Sequence, residues 1–334
     1  MRPSTNPIVF YATSRTGLGH LRRLTNIAAA ASARQPARPL VLATNARVDG
    51  LTAAEMALYS RCITVEKNAA ARVLEAMHPA AVVVDTARVP DIERIRAPLL
   101  LLLRETLTHL LPRFALPGRR WDRIIVPNPG KHWRPADLMA LACEVRNTGW
   151  IYRDAPADTP AQEVGGIPRV LIASGGGGAT TSWAPVATRL NGLFTQVRQR
   201  LSLPFRIEQA LGPRVTDQGM LRVADTRFAP GPELHRLFGQ YTLVVSTAGY
   251  NSSLELARSD VPTLLAGIRC TYDDQAARAR HFGARLGRSL NDSADSELVP
   301  WICRVLASRC RRPRLHLDES GADAAARAIL ELAR

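Results

Sequence analysis

Residues 246–257 combine small polar side chains with one carboxylate at a spacing that suits a nucleoside diphosphate. The apolar segment at 241–245 predicts a buried strand that runs into this stretch. The turn then opens a helix, whose free N–H groups and positive dipole end attract phosphate oxygens, and Gly249 lets the backbone approach a ligand. Glu255 follows about one and a half turns into the helix, where a carboxylate can accept hydrogen bonds from a sugar diol. The stretch therefore predicts a diphosphate cradle beside a ribose clamp.

The same stretch resembles the donor-nucleotide signature of GT-B glycosyltransferases and is most similar to family 28, which contains the MurG-like N-acetylglucosaminyltransferases. The matching elements keep the family's order: the turn at 246–249, the helix with Ser253 and Glu255, the strand at 262–265 and the loop at 274–275. The loop at 17–20 is similar to the family's first glycine loop. The resemblance is good at both ends and poor between about residues 50 and 145. The loop at 269–272 departs from the family pattern, which leaves the donor sugar open.

The resemblance implies a role for each group of the donor site. Glu255 would bind the ribose hydroxyls, with a solvent-facing helix glutamate as the alternative. Asp274 with Gln275 would bind the donor sugar, although a helix N-cap also explains the aspartate. Phe228 would lie in the loop where the family holds its base, and it could cover a uracil ring or pack in the core. The first glycine loop and the turn would supply phosphate contacts, namely Gly17, Gly19, Thr247, Ala248, Gly249, Asn251 and Ser252. The second glycine loop is either a flexible turn or, beside the turn at 246–249, a further phosphate contact through Ser174, Gly175 and Gly176.

Apolar segments, among them 8–12, 123–126 and 169–173, alternate with helical segments along the chain, which predicts an α/β protein with parallel sheets. We expect a Rossmann-like acceptor-binding domain at 1–153, a linker at 154–166 and a Rossmann-like nucleotide-sugar-binding domain at 167–334, whose last helix could pack back on the first domain. In the GT-B fold that the resemblance implies, the two parallel sheets face each other across a cleft, with ligands at the carboxyl ends of the strands. A strand is also expected at 221–223.

His20 is the strongest candidate for catalysis. It follows two glycines at the start of a predicted helix, where the helix dipole disfavours an imidazolium and leaves a neutral ring that can accept a proton. It would take the proton of an acceptor hydroxyl as that oxygen attacks the anomeric carbon. The alternative is a structural histidine, or one that only contacts phosphate. Asp85 and Glu105 each follow an apolar strand, and either could orient His20 or serve as a cap or salt-bridge partner.

The net charge of +15 is carried almost entirely by arginine, and most of the excess lies in residues 1–150. One explanation of this arginine excess is arginine-favouring codon usage. The others are an anionic acceptor, either a small molecule or lipid-linked, and an anionic membrane surface. Nucleic acid fits poorly, because aromatic residues make up only 5% of the chain and no nucleic-acid motif is present.

The apolar residues at 107–116 lie among arginines, which fits a membrane-docking patch or a core segment. The N-terminus shows no signal region, and no apolar run has the length of a membrane span. We therefore expect a cytoplasmic protein, with peripheral contact at the inner face of the membrane as an open alternative.

These features predict a metal-independent inverting glycosyltransferase, with a UDP-sugar as the expected co-substrate and no further cofactor. No metal-ligand spacing is visible, and a helix dipole can replace a divalent cation at the leaving diphosphate. Two alternatives stay open. A nucleotide-sugar hydrolase on the same scaffold would release free sugar without an acceptor, and a non-catalytic nucleotide-sugar-binding protein would bind the donor without turnover.

Overall fold

The computed structural model describes residues 6–13, 18–46, 48, 50–128, 133–153, 166–175, 180–212, 215, 219–270 and 273–333. The chain divides into two compact units: a first unit, Met1–Arg153 with Asp318–Arg334, and a second unit, Asp154–Leu317. The segment predicted as a linker lies outside the described residues, apart from Gly166.

The first unit is built on a parallel sheet of seven strands, in the order β3-β2-β1-β4-β5-β6-β7. Its strands are β1 (Ile8–Ala12), β2 (Leu40–Thr44), β3 (Arg61–Thr64), β4 (Ala81–Asp85), β5 (Leu99–Leu102), β6 (Arg123–Val126) and β7 (Val145–Asn147). The helices before the second unit are α1 (Gly19–Arg34), α2 (Ala53–Met56), α3 (Ala70–Glu75) and α4 (Pro135–Met139). The central strands β1, β4, β5 and β6 are buried along their whole length, as expected of a parallel sheet covered on both faces.

The second unit repeats this architecture with six parallel strands, in the order β10-β9-β8-β11-β12-β13. Its strands are β8 (Arg169–Ala173), β9 (Arg206–Ala210), β10 (Thr226–Phe228), β11 (Leu243–Thr247), β12 (Thr263–Ala266) and β13 (Gly287–Ser289). Its helices are α5 (Thr180–Arg200), α6 (Tyr250–Ala257), α7 (Gln275–Leu286) and α8 (Asp295–Ser308). The two parallel-sheet α/β units confirm the predicted fold class.

The last helix, α9 (Ala322–Leu332), belongs to the first unit. Its buried face includes Ala325, Ala326 and Ile329, and the small alanine side chains let it pack closely on α1. Arg34 of α1 contacts Asp323 of α9 through Nη2 at 2.7 Å. The helix is thus held to the start of the chain by both apolar and charged contacts.

The prediction of a strand at 221–223 is wrong. The backbone N–H of Leu221 donates to the side-chain oxygen of Gln209 at 2.8 Å, and that of Val223 donates to the side-chain oxygen of Asn191 at 3.2 Å. Because side chains satisfy these donors, the segment needs no neighbouring strand. The strand forms three residues later, as β10, which pairs with β9.

The apolar segment at 107–116 forms part of the core. Leu110, Leu111 and Phe114 are buried in a 3₁₀ segment, and the indole N–H of Trp121 donates to the carbonyl of Phe114 at 2.7 Å. Of this group Leu107 is exposed. The core interpretation of these residues is therefore confirmed, and they do not form a continuous apolar surface. Within the described residues, no helix is both long enough and apolar enough to cross a membrane.

Candidate functional site

The carboxyl edge of the first sheet has a switch point between β1 and β4, where the order of the strands reverses. The chain leaves β1 for β2 on one side, and returns later to β4 on the other side. Such a switch point opens a crevice where α/β proteins bind ligands. Ala12, the last residue of β1, lies in register with Asp85, the last residue of β4. Of the predicted glycine loop, Gly19 begins α1 beside this crevice, while Gly17 lies outside the described residues.

His20 lies in the first turn of α1 and contacts the end of β4. Its Nδ1 is 3.1 Å from Oδ1 of Asp85, which is completely buried, while one fifth of the imidazole side chain remains exposed. This contact leaves Nε2 as the ring nitrogen that can accept a proton, once Nδ1–H donates to the carboxylate. Of the two carboxylates predicted to orient His20, Asp85 is the one that contacts it. Glu105 lies half-buried in the loop after β5.

Arg23 joins this pair from one turn further along α1. Its Nη2 donates to Oδ1 of Asp85 at 2.6 Å, so that one carboxylate oxygen faces both the guanidinium and the imidazole. Burial works to raise the pKa of Asp85, but Arg23 and His20 together lower it to about 2. Asp85 is therefore a permanent anion at neutral pH.

The pKa of His20 is lowered from its ordinary value. Burial is the largest cause, and Arg104 and Arg23 act in the same direction, whereas the charge and hydrogen bond of Asp85 oppose them. The ring is therefore neutral at pH 7 in spite of its carboxylate partner. A neutral imidazole in a ligand crevice has the protonation state that a general base requires.

The second sheet has an equivalent switch point between β8 and β11, where Ala173 lies in register with Ser246. Gly175 follows with a φ of +71°, a backbone conformation that favours glycine, and a Cβ there would lie 3.3 Å from Oγ1 of Thr247. Ser174 is buried, and its hydroxyl has no hydrogen-bond partner among the described residues. Gly176 lies outside the described part of the chain. The edge therefore holds a glycine turn and an unsatisfied hydroxyl next to Thr247.

The turn from β11 to α6 leads into the start of the helix. Gly249 is the N-cap residue of α6, and among the described residues a Cβ built on it would meet only Oγ of Ser252, at 4.0 Å. Its φ of −62° is accessible to any residue, so the glycine provides space rather than a special backbone conformation. Ala248 and Thr247 are buried behind it. A phosphate group could therefore approach the first N–H groups of this helix.

The first two turns of α6 place polar side chains at the same edge. Asn251, Ser252 and Glu255 are half-buried, while Ser253 is fully buried and its hydroxyl has no partner among the described residues. The structure thus brings the phosphate-turn residues and Glu255 together on one short helix. The role of Glu255 as a ribose clamp stays a prediction.

The loop after β12 holds the two residues predicted to bind the donor sugar. Asp274 is the N-cap residue of α7, and its carboxylate accepts from the backbone N–H of Ala277 at 3.0 Å. This cap is the alternative that the sequence left open. Gln275 is buried, its amide nitrogen lies 3.3 Å from Sγ of Cys270, and its amide oxygen has no partner in the described residues. Gln275 therefore retains an acceptor that a sugar hydroxyl could use.

Sequence reasoning missed a buried ion pair in this loop. Arg278 of α7 donates to Oδ1 of Asp273 at 2.7 Å and to the carbonyl of Ala248 at 2.9 Å, and its guanidinium lies 5.7 Å from the ring centroid of Tyr250. The pair ties α7 to the phosphate turn. The only signal in the sequence is the spacing of five residues between the aspartate and the arginine, which is common on protein surfaces.

The prediction that Phe228 lies in a loop is wrong. Phe228 is the half-buried last residue of β10, at the carboxyl edge of the second sheet, and its carbonyl accepts from the backbone N–H of Leu211 at 2.8 Å. Pairing with β9 draws this segment into the sheet.

Among the described residues, no group of three or more His, Cys, Asp or Glu side chains could hold a metal ion.

No protein-family model matches the chain, and no curated protein matches it in sequence. Solved structures do match. MurG from Acinetobacter baumannii has a TM-score of 0.60 at 12% identity, covering 97% of this chain and 99% of that one. The spinosyn rhamnosyltransferase SpnG, complexed with thymidine diphosphate, has a TM-score of 0.60 at 15% identity, covering 97% of this chain and 95% of that one. A protein assigned as a UDP-N-acetylglucosamine 2-epimerase from Listeria monocytogenes has a TM-score of 0.56 at 13% identity, covering 98% of this chain and 95% of that one.

At these identities the likeness concerns the fold alone. It confirms the GT-B fold that the sequence resemblance implies, over nearly the whole chain.

Proposed function

We propose that this GT-B chain is a glycosyltransferase that moves a sugar from a nucleotide-sugar to an acceptor hydroxyl. The observation that carries the proposal is the contact between His20 and Asp85 at the switch point of the first sheet. It holds a neutral imidazole where a ligand of the first unit would lie. Similarity to transferases such as MurG and SpnG supports the same reaction class.

In this mechanism His20 serves as the general base. Nδ1–H donates to Asp85, and Nε2 accepts the proton of the acceptor hydroxyl as its oxygen attacks the anomeric carbon. The bond between the anomeric carbon and the diphosphate oxygen breaks as the new glycosidic bond forms. A single displacement of this kind inverts the anomeric centre. Asp85 stabilises the imidazolium that results, and Glu105 has no assigned step.

The second unit binds the donor in this proposal. The phosphates contact the N-terminus of α6 and the turn at Gly249, with Ser174 and Gly175 beside them, while Glu255 binds the ribose hydroxyls. Helix dipole and backbone N–H groups stabilise the departing diphosphate, so that no divalent cation is needed. Gln275 offers to the donor sugar its amide oxygen, which has no partner among the residues that the structure describes. UDP is the proposed nucleotide.

We propose an anionic acceptor, small or lipid-linked, because most of the excess arginine lies in the first unit and Arg104 contributes positive charge beside His20. A cytoplasmic location, with peripheral contact at an anionic membrane surface, is consistent with such an acceptor. The buried segment at 107–116 gives this contact no apolar anchor of its own.

The test begins with a thermal-shift screen of nucleotide-sugars, since a ligand that binds only the folded state raises the melting temperature. The donor found is then incubated with and without anionic acceptors, and UDP and free sugar are measured in the presence and absence of EDTA. Acceptor-dependent UDP release that survives EDTA supports metal-independent transfer. Equal release of UDP and free sugar without acceptor indicates a hydrolase, and binding without turnover indicates a non-catalytic protein.

A further inference from the structure

Arg23 is a fully buried cation with a defined partner. Its side chain is 1% exposed, and its Nη2 lies 2.6 Å from Oδ1 of Asp85, whose side chain is completely buried. A guanidinium is buried at this depth only where an anion compensates its charge. The chain therefore maintains a buried ion pair directly behind the candidate base.

The geometry makes Arg23 and His20 share one acceptor. Nη2 of Arg23 and Nδ1 of His20 both contact Oδ1 of Asp85, at 2.6 and 3.1 Å, and they lie 3.5 Å from each other. The other carboxylate oxygen, Oδ2, has no hydrogen-bond partner among the described residues. The three-residue spacing places His20 and Arg23 on the same face of α1. A guanidinium in this position limits how much of the carboxylate's charge is available to the imidazole.

We propose that Arg23 is a positioning residue for His20, because it fixes the Asp85 carboxylate against the imidazole and opposes the charged form of the ring with its own positive charge. The geometric part of this inference is independent of the proposed function. Its importance for sugar transfer rests on that function, in which a ring that is already neutral can accept a proton from the acceptor.

Within the part of the chain that the structure describes, the charged groups that act on His20 come from three places in the fold. Asp85 of β4 favours the imidazolium, while Arg23 of α1 and Arg104, just beyond β5, disfavour it. Burial, the largest influence, also disfavours the charged ring, and the net effect is a pKa below the ordinary value. A histidine that faced the carboxylate alone would be pushed in the opposite direction.

The experiment follows the histidine Cε1–H signals by NMR as a function of pH, with His20 assigned from their loss in a His20→Gln variant. In the wild type the midpoint of His20 should lie below the ordinary histidine value. In Arg23→Gln, which keeps a donor to Asp85 but loses the charge, the midpoint should move to higher pH. In Arg23→Lys, which keeps the charge, it should stay near that of the wild type.

Arg22 provides a matched control on the same helix. It is also buried and paired with a carboxylate, that of Glu55, but it has no contact with Asp85. Arg22→Gln should leave the His20 midpoint unchanged. If Arg23→Gln and Arg22→Gln titrate alike, Arg23 is only a structural counterion and the proposal is overturned.

The wild-type midpoint tests the proposal even if Arg23→Gln fails to fold, since a value above the ordinary histidine value would overturn it. Where transfer is detected, the acidic limb of the pH–rate profile should move to higher pH in Arg23→Gln, with turnover on that limb reduced roughly three- to tenfold, and not in Arg23→Lys. The NMR titration needs no acceptor or turnover. A protein that fails to transfer sugar but shows the expected midpoints would therefore refute the proposed function and leave the role of Arg23 intact.

Discussion

In the described residues, each unit buries an arginine–aspartate pair beside the switch point of its sheet, and the two pairs contact different third groups. In the first unit, Arg23 and Asp85 meet at 2.6 Å, and the aspartate also contacts the imidazole of His20. In the second unit, Arg278 and Asp273 meet at 2.7 Å, and the arginine also holds the backbone carbonyl of Ala248. One pair therefore acts on a group that titrates, and the other acts on the backbone.

The difference shows how one device can support two kinds of chemistry. A buried charge next to His20 changes its proton affinity, which matters for a group that gains and loses a proton. A buried charge that anchors Ala248 fixes the turn before α6, which matters for a site that binds phosphate with backbone N–H groups. Under the proposed function, we therefore expect the first crevice to be sensitive to pH and the second to depend on the geometry of its backbone.

The largest effects should come from removing either aspartate, because each substitution takes the compensating carboxylate away from a buried guanidinium. We expect Asp85→Ala and Asp273→Ala each to lower the free energy of unfolding by about 3–5 kcal/mol, measured by urea unfolding. Asp323→Ala, which breaks the solvent-exposed contact with Arg34, is the control and should cost less than about 1 kcal/mol. An Asp273→Ala variant no less stable than this control would end the parallel between the two pairs.

Replacing His20, the third group at the first pair, should lower turnover without changing donor binding. His20→Gln removes the proposed proton acceptor, so the turnover number should fall about a hundredfold or more while UDP affinity stays unchanged. Steady-state rates and calorimetric titration measure the two quantities. Transfer at a near wild-type rate would make His20 structural and direct the search for the base to Glu105.

A variant in the second unit should have the opposite effect and weaken donor binding. Glu255→Ala removes a carboxylate from α6 and should weaken UDP binding by about 1–3 kcal/mol, the cost of losing charge-assisted hydrogen bonds. Calorimetry on this variant and on His20→Gln decides the assignment. Equal UDP affinity in both variants would remove Glu255 from the donor site.

Acid should destabilise the first pair in a defined pH window. The pKa of Asp85 is about 2 in the folded protein against an ordinary 3.8, so the unfolded chain takes up a proton first as the pH falls. The pair's contribution, about 2 kcal/mol, should be complete above pH 5 and should disappear as the pH falls through 3.8 towards 2.

The lowered pKa of His20 acts in the same direction, because the unfolded chain binds that proton first below the ordinary value of 6.5. Urea unfolding of the wild type and Asp85→Asn between pH 3 and 7 tests this. The stability difference between the two proteins should shrink towards the acid end, and a constant difference would contradict the assignment.

The smallest effect should come from loosening the second pair without removing its charge. Arg278→Lys keeps an ammonium near Asp273 but loses the planar fork that also reaches Ala248, so UDP affinity should fall roughly two- to tenfold. The loss should be equal at pH 6 and pH 8, since neither group ordinarily titrates between these values. A pH-dependent loss in calorimetry would show that the second pair, too, acts on a titrating group.

The sequence predicts the elements that depend on local pattern. Apolar segments mark β1, β6 and β8 at their observed bounds, because central parallel strands are buried on both faces. The position of His20 at the start of α1, and that of Asp85 at the end of β4, follow from the same pattern. Whether Asp85 or Glu105 would contact the histidine depends on strand order, which local pattern does not specify.

The buried arginines escape prediction for a related reason. Arginine is ordinarily a surface residue, and nothing around Arg23 distinguishes it from the solvated arginines of this chain until β4 brings Asp85 beside it, 62 residues later in sequence. The strand prediction at 221–223 fails for the same reason. The apolar residues of this segment suggest a neighbouring strand, but the side-chain amide of Gln209 takes the place of that strand. Side-chain hydrogen bonds across distant segments decide these cases.

The return of α9 to the first unit makes the second unit an insertion within the first, entered after Arg153 and left before Asp318. The second unit can complete its sheet as soon as its own residues have left the ribosome, whereas the first unit lacks a core helix until synthesis has reached α9. The pairing of α1 with α9 also joins residues about 300 positions apart, a contact order that slows folding. The first unit should therefore be the last to become resistant to proteolysis during synthesis, although its strands are made first.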